Sequence, residues 1–360
     1  MWWSNIWRQG QKKNIFAIYS PALNIRFNVE YFIFAQIARG MKERIAIIDL
    51  GTNTFHLFIV EISENKVLKT LYKEKIAVKI GKNGISKGRI SADAQKRALH
   101  TLKVFKTVTD QFHVSKITGV ATSAIRSAKN GQQLLDEIKS QTGIEINIIS
   151  GDKEAELIFY GAKWAVPFDD RPQLVMDIGG GSVEFIIGTE SQILWKQSFE
   201  IGAQRLLDKF HGIDPMPASK IEEMGIWLAA ELDSLLLAIE EFKPQNLIGC
   251  SGTFDTLTEI HTQENNIIKD SESLTFELSR SDFQNIYQEL ITKNKQQRLE
   301  IPGMVTMRVD MIVVAACLIN FVLQHLKTNT ITACAYALKE GVLFSLLSSI
   351  EEEKEEEINQ

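Results

Sequence analysis

The chain has 360 residues, more than the roughly 250–300 at which a single hydrophobic core stops growing, so two domains are the default expectation. A hydrophobic content of 44% beside 24% charged residues excludes a disordered or fibrous chain. A net charge of −5 argues against nucleic acid as a partner. Three cysteines (Cys250, Cys317, Cys334) without CxxC spacing give neither a disulfide framework nor a zinc site, so the expected setting is reduced and cytoplasmic.

The first 40 residues hold five basic residues and one acid, and Trp2, Trp3 and Trp7 are half of the tryptophans. They lack the apolar h-region of a signal peptide. Met41 is the expected natural start, with residues 1–40 a non-native or disordered extension. Ile45–Val60 reads as strand, tight turn, strand: a β-branched run ends at Asp49, Gly51-Thr-Asn-Thr54 makes the turn, and alternation resumes at Phe55. Ser91–Phe112 has helical periodicity, Lys116–Ala121 and Ile144–Ile149 read as short strands, and Glu154–Trp164 reads as a helix after Ser150-Gly-Asp. Leu174–Ile187 repeats the first hairpin 128 residues later, placing Asp177 on Asp49, Gly179 on Gly51, Ser182 on Thr54 and Ile187 on Ile59. Lys220–Phe242 reads as one long amphipathic helix, and Leu247–Thr253 as a third strand running into a small-residue turn. Val309–Leu323 is too short to span a bilayer and suits a buried helix, so no membrane partner is expected. Glu351–Gln360, with six Glu and one Lys, reads as a solvated acidic tail.

Alternating strands and helices with an internal echo make an α/β protein of two similar halves facing one another. Glycine and hydroxyl turns at strand ends aim several backbone N–H groups at one point, which suits phosphate oxygens. Gly51, Thr52, Asn53 and Thr54, with Gly179, Gly180, Gly181 and Ser182, are therefore the candidate phosphate-binding residues. A carboxylate beside such a cradle needs a cation between itself and the phosphate, and Mg²⁺ is the usual one. Asp49 and Asp177 are candidate metal-side ligands, the other reading being that each caps its own turn. His56 faces the first turn and reads either as a substrate contact or as a packed strand histidine. The Lys79, Lys82, Lys87 and Arg89 cluster reads either as a strip that concentrates a polyanion or as a solvated loop. No GxxxxGK[ST], HExxH or dinucleotide fingerprint is present.

Four segments carry a resemblance: Asp49-Leu-Gly-Thr-Asn-Thr-Phe-His56, Thr122-Ser-Ala-Ile-Arg126-Ser-Ala-Lys-Asn130, Ile149-Ser-Gly-Asp-Lys-Glu154-Ala155 and Asp177-Ile-Gly-Gly-Gly-Ser-Val-Glu184. In this order and spacing the chain resembles the exopolyphosphatase and guanosine pentaphosphate phosphatase (Ppx/GppA) family of the actin–hexokinase–Hsp70 superfamily. The likeness spans residues 42–348 and includes Gly202-Ala-Gln-Arg205-Leu, Cys250-Ser-Gly-Thr253 and Tyr336-Ala-Leu-Lys-Glu340-Gly341. It implies two actin-like (ribonuclease-H-like) domains with a cleft between them, in the short form of the family. Domain I would be 41–165 with helix 335–350 returning to it, and domain II 166–334. The implied activity is Mg²⁺-dependent hydrolysis of a terminal phosphoanhydride, in polyphosphate or pppGpp, with a homodimer plausible for the family.

By the same resemblance Glu154 matches the carboxylate that polarises the attacking water, Arg126 a groove arginine, Asp177 the metal-linked aspartate and Glu184 the acid after the glycine turn. Ser251, Gly252 and Thr253 fall where the superfamily places a nucleoside. The chain departs from the family pattern at Lys153 and Glu156, where Glu and Arg are usual, and at Ala315-Ala316-Cys317, where glycines are usual. Two other readings stay open: a non-hydrolytic binder of polyphosphate or guanosine tetra- and pentaphosphate, and a small-molecule kinase of the same superfamily.

Overall fold

The computed structural model describes residues 43–63, 68–270 and 272–358, with side chains as far as Ser348. The expectations for residues 1–40 and for the side chains of the acidic tail lie outside the described residues. The first half is built from β1 (Glu43–Leu50), β2 (Phe55–Ile62), β3 (Leu68–Ile76), α1 (Ala92–Gln111), β4 (Lys116–Ala121), α2 (Ser123–Arg126), α3 (Gly131–Thr142), β5 (Ile146–Ile148) and α4 (Gly151–Ala165). The second half opens with β6 (Gln173–Ile178), β7 (Val183–Gly188) and β8 (Ile193–Phe199). It continues with α5 (Ala203–Phe210), α6 (Ala218–Glu231), α7 (Asp233–Phe242), β9 (Leu247–Cys250), α8 (Gly252–Glu264), β10 (Thr275–Ser279), α9 (Arg280–Thr292), α10 (Lys295–Leu299), α11 (Ile312–Gln324) and β11 (Thr330–Cys334). Helix α12 (Leu338–Ile358) then returns to pack on α4 and β1.

The two sheets have matching topology. Their orders are β3-β2-β1-β4-β5 and β8-β7-β6-β9-β11, the second extended by β10 on the β11 edge. In each, an antiparallel meander of three strands continues into parallel strands, so both halves have the actin-like plan and the protein is a two-sheet α/β structure. The echo extends to an imperfection: register slips between Ile59 and Val60 in one meander and between Ile187 and Gly188 in the other, the same place in the repeat.

The central strands β1, β2, β6 and β7 are apolar on both faces because both faces are covered. Ala46, Ile48, Leu57 and Ile59 face α1 and α3. Ile45, Ile47, Phe58 and Val60 face inward to share a core with α4, α12 and the inner face of the second sheet, at Val175, Ile186 and Ile248. Leu174, Met176, Phe185 and Ile187 face the remaining helices of the second half. Helices α4 and α12 are thus sandwiched between the sheets.

They cross where neither carries a side chain. A Cβ on Gly161 would meet the carbonyl oxygen of Ala337 at 2.1 Å, and one on Gly341 would meet that of Leu157 at 1.8 Å. Glycine is required there by the approach of two backbones. The expected long helix 220–242 is two helices: the backbone leaves helical geometry at Leu232 (φ −102°, ψ 18°), whose fully buried side chain stays in the core across the bend. The apolar periodicity continues through the bend, so the sequence pattern reads as one helix.

Substituting Gly341 by Ala is expected to destabilise the protein by about 1–3 kcal/mol in urea unfolding, the cost of overpacking a fixed contact. Gly212→Ala, where nothing lies within 4 Å of the added carbon, is the control and should stay within about 0.5 kcal/mol.

Candidate active site

The two hairpin turns meet. Gly51 and Gly179 are each required locally, because a Cβ on either would lie 2.9 Å from the carbonyl oxygen three residues on, at Thr54 and Ser182. Gly180 and Gly181 are required by the other turn: a Cβ on Gly180 would sit 2.3 Å from Asn53 Nδ2, and one on Gly181 2.6 Å from Thr52 Oγ1. Each turn is braced from behind through its carbonyls. Gly81 and Lys79 donate their N–H groups to Thr52 and Asn53, and Gly202, Ala203 and Gln204 donate to Gly181, Gly179 and Gly180. With these carbonyls engaged, the polarity the turns can offer a phosphate oxygen is that of their N–H groups, apart from that of Gly51, which the Thr54 carbonyl accepts.

That space is a cleft of about 340 Å³ between the halves. Its walls contain all eight of the predicted phosphate-binding residues, the predicted acids Asp49, Glu154, Asp177 and Glu184, and Ser251 and Gly252. Thr253 is different: it is buried in the first turn of α8 and is absent from the cleft wall. Lys79 braces the first turn by its backbone, and no member of the Lys79–Arg89 cluster lines the cleft. The cations that do are Lys73, Lys75, Arg308 and Lys339, together with His56 and the acids Glu74 and Asp255.

Glu154 reaches the site because Ser150 caps α4, accepting the Lys153 N–H at 3.1 Å, and puts the glutamate in the first turn. Arg126 stands behind it. Its Nη1 donates to Glu154 Oε2 at 2.7 Å and to the Ile149 carbonyl at 3.2 Å, while Nη2 donates to Glu200 Oε1 at 3.0 Å. Glu200 also accepts from Ser123 at 2.6 Å and Arg205 at 2.8 Å, so it ties the two halves together beside the cleft. Glu184 pairs across β6 and β7 with Asp177, and its Oε1 accepts from Ser198 Oγ at 2.7 Å. Ser251 has a strained φ of 70° in the turn into α8, and its hydroxyl hydrogen-bonds Asp177. Gly252 leaves room for Arg308, whose Nη2 would lie 2.3 Å from an added Cβ.

These carboxylates are crowded away from water. Burial, reinforced by the repulsion of Asp177, pushes Glu184 up to about 8. Burial lifts Asp49 to about 7 and Asp177 to about 6, against the pull of Lys339 on both and of Ser251 on Asp177. Burial and the Glu184 charge raise Glu154 well above the ordinary carboxylate range although Arg126 opposes them. His56 goes the other way, down to about 3, through burial and then the nearby Lys339, Lys75 and Arg308. It is a neutral ring whose Nε2 lies 3.1 Å from Thr54 Oγ1.

A divalent cation suits this donor set. Asp49 Oδ1 is buried with no hydrogen-bond partner. Among the described residues no three carboxylate, imidazole or thiol groups converge as a ready-made metal cage. Mg²⁺ is commonly held by one or two carboxylates, waters and substrate phosphates. Asp49 and Asp177 could hold it, with Glu184 beside them.

Sequence reasoning passed over Lys73, Lys75, Arg308, Lys339 and Asp255 as site residues, and also the clasp Glu200. Lys339 lies inside the quoted Tyr336–Gly341 segment, which was the one signal available for it; the others stand alone in unremarkable surroundings.

The molecule is thus a two-sheet α/β protein whose halves of matching topology enclose a cleft lined by two glycine and hydroxyl turns and by carboxylates. The profile of the Ppx/GppA phosphatase family matches residues 58–350. The chain belongs to that family. It is 48% identical to a crystallised exopolyphosphatase from Cytophaga hutchinsonii, covering 85% of this chain and 98% of that one with a TM-score of 0.83. The Aquifex aeolicus family member, at 23% identity, shares the fold with a TM-score of 0.71 over 86% of this chain and 99% of that one. The bifunctional 3-dehydroquinate synthase/phosphatase of Fusobacterium nucleatum is 32% identical over 289 residues, 78% of this chain, and this chain spans 43% of its length. Exopolyphosphatase 1 of Mycobacterium bovis is 24% identical over 307 residues, covering 85% of this chain and 89% of that protein. Among the described residues no helix is long and apolar enough to cross a membrane.

Raised carboxylate values mean that the folded state holds protons the unfolded chain releases near pH 4. Stability should therefore fall as pH rises from about 4 and level off above about 8. The melting temperature in EDTA is expected to be lower at pH 8 than at pH 5.5, and added Mg²⁺ to raise it more at pH 8. Equal Mg²⁺ shifts at both pH values would separate these carboxylates from cation binding.

Proposed function

We propose that this chain is a Mg²⁺-dependent hydrolase that removes the terminal phosphate of inorganic polyphosphate by water attack on the phosphoanhydride. Glu154 carries the reading: it is a buried carboxylate at a capped helix N-terminus, in the wall of a cleft that also carries the two glycine and hydroxyl turns. The relatives support the substrate class, since the Cytophaga hutchinsonii and Mycobacterium bovis proteins are both named as exopolyphosphatases.

In such a reaction the protein positions water and neutralises oxygens. The turn N–H groups of Thr52–Thr54 and Gly180–Ser182 hold the non-bridging oxygens of the terminal phosphate. Glu154 accepts a hydrogen bond from the attacking water and takes its proton as the new P–O bond forms; its raised proton affinity favours that transfer. Arg126 fixes the orientation of that carboxylate and keeps its charged form accessible. Asp49 and Asp177 would hold Mg²⁺, which would supply charge neutralisation of the phosphate oxygens.

The departures from the family pattern leave the cleft intact. Lys153 Nζ lies 2.5 Å from Glu156 Oε1, and Lys196 donates to Glu156 Oε2 at 2.7 Å, an ion triad outside the cleft wall. The motive for a non-hydrolytic binder is weakened accordingly. Guanosine pentaphosphate presents the same terminal anhydride, so phosphate release from polyphosphate, pppGpp and ATP should be measured side by side. Polyphosphate is expected to be turned over fastest, and only with a divalent ion present.

Glu154→Gln is expected to lower kcat by about 10²–10⁴-fold while polyphosphate binding, read by calorimetry, changes less than about threefold. Full turnover in that variant would remove Glu154 from the role. Tight binding with no phosphate released by the wild-type protein under any divalent ion would favour the binder. Arg126→Lys should retain more activity than Arg126→Ala, which strands both Glu154 and Glu200.

A further inference from the structure

Lys339 breaks a local rule. It lies in the first turn of the 21-residue helix α12, where the helix dipole disfavours a cation and favours an anion. Its side chain is only 19% exposed, at a position that lines the cleft. A positive side chain and a positive helix end are thus directed at one place, beside the two phosphate turns.

The structure spends several interactions on keeping it there. Glu340, 2% exposed, lies 3.0 Å from Lys339 Nζ and accepts the Ala337 N–H at 3.0 Å, so one carboxylate holds the ammonium and pins the helix start. Lys73 packs over the Phe58 and Tyr336 rings and lies 3.8 Å from the same carboxylate. Asp49 and Asp255 add their charges. The glycine crossing sets where the helix lies: Gly341 is two residues after Lys339, and Gly161 is two turns after Glu154. One backbone contact therefore fixes the spacing between the carboxylate at the start of α4 and the ammonium at the start of α12.

We propose that Lys339 is a catalytic residue that neutralises the leaving phosphate while Glu154 serves the attacking water. This inference rests on the hydrolytic reading above. The water oxygen bonds to the terminal phosphorus and its proton passes to Glu154. The bond from phosphorus to the bridging oxygen breaks, and its electron pair stays on that oxygen, now the end of a chain one phosphate shorter. Lys339 donates a charge-assisted hydrogen bond to that oxygen. The ammonium is placed for charge that develops as the bond breaks, so its effect falls on kcat rather than on binding.

The test is turnover of tripolyphosphate with Mg²⁺ by the wild-type protein, Lys339→Met and Lys339→Arg. Lys339→Met is expected to lose at least about 10²-fold in kcat, the scale of one removed charge-stabilising donor, with KM changed less than about threefold. Lys339→Arg should recover to within about tenfold of wild type. A kcat within threefold of wild type in Lys339→Met, or a loss confined to KM, overturns the proposal. A second measurement needs no variant: reductive methylation of the wild-type protein in EDTA, read at Lys339 by peptide mass spectrometry. Tripolyphosphate is expected to protect Lys339 at least fivefold, and undiminished labelling overturns the proposal even if Lys339→Met does not fold. Absence of phosphate release by the wild-type protein would instead sink the hydrolytic reading, whereas active wild type with an equally active Lys339→Met sinks this inference alone.

Discussion

Like charges gathered out of water need an opposite charge among them, and this requirement organises the molecule. Asp49, Asp177, Glu154 and Glu184 line one cleft, three of them buried, and each is driven towards its protonated form. Apart from local hydrogen bonds, what relieves them in the protein is cationic: Arg126 behind Glu154, and Lys339 beside Asp49 and Asp177. The cost of assembling this cleft is borne by the two sheets and the helices sandwiched between them, whose cores are almost wholly aliphatic and aromatic.

The two halves share a plan and differ in charge. His56 and Glu184 occupy the same place in the repeat, each paired across its hairpin with the aspartate that ends the preceding strand. Their outer neighbours differ as well: Lys75 lies opposite His56, and Ser198 opposite Glu184. One hairpin therefore presents a neutral ring and an ammonium, and the other a carboxylate held by a hydroxyl. The matching turns thus sit between unlike walls, the lining holding the carboxylates Glu154 and Glu184 and also the cations Lys75, Arg308 and Lys339.

Much of this was legible beforehand where the signal was local. The β-branched run before Asp49 and the glycine and hydroxyl residues after it can form little but a strand and a tight turn, and the second copy said the same independently. The 220–242 segment reads as one helix because apolar periodicity survives a bend at Leu232 that keeps its side chain in the core. The Lys79–Arg89 segment reads from composition equally as an anion strip or as a solvated loop. In the structure it supplies two backbone N–H groups that brace the first turn, and none of its four cations lines the cleft.

By itself the sequence determined the fold class, the paired turns and the acids next to them, because backbone sterics and hydrophobic period act over a few residues. Only the tertiary structure decided which distant groups complete the site. Arg126 meets Glu154 across 28 positions, Glu200 joins from the other half, and Lys339 arrives on a helix that returns after the whole second half has folded. Those meetings depend on two sheets packing against a shared helix pair, and on a glycine contact that only two whole helices in place can form. Contacts between segments so far apart leave no periodic trace in the chain, since each partner is ordinary in its own neighbourhood.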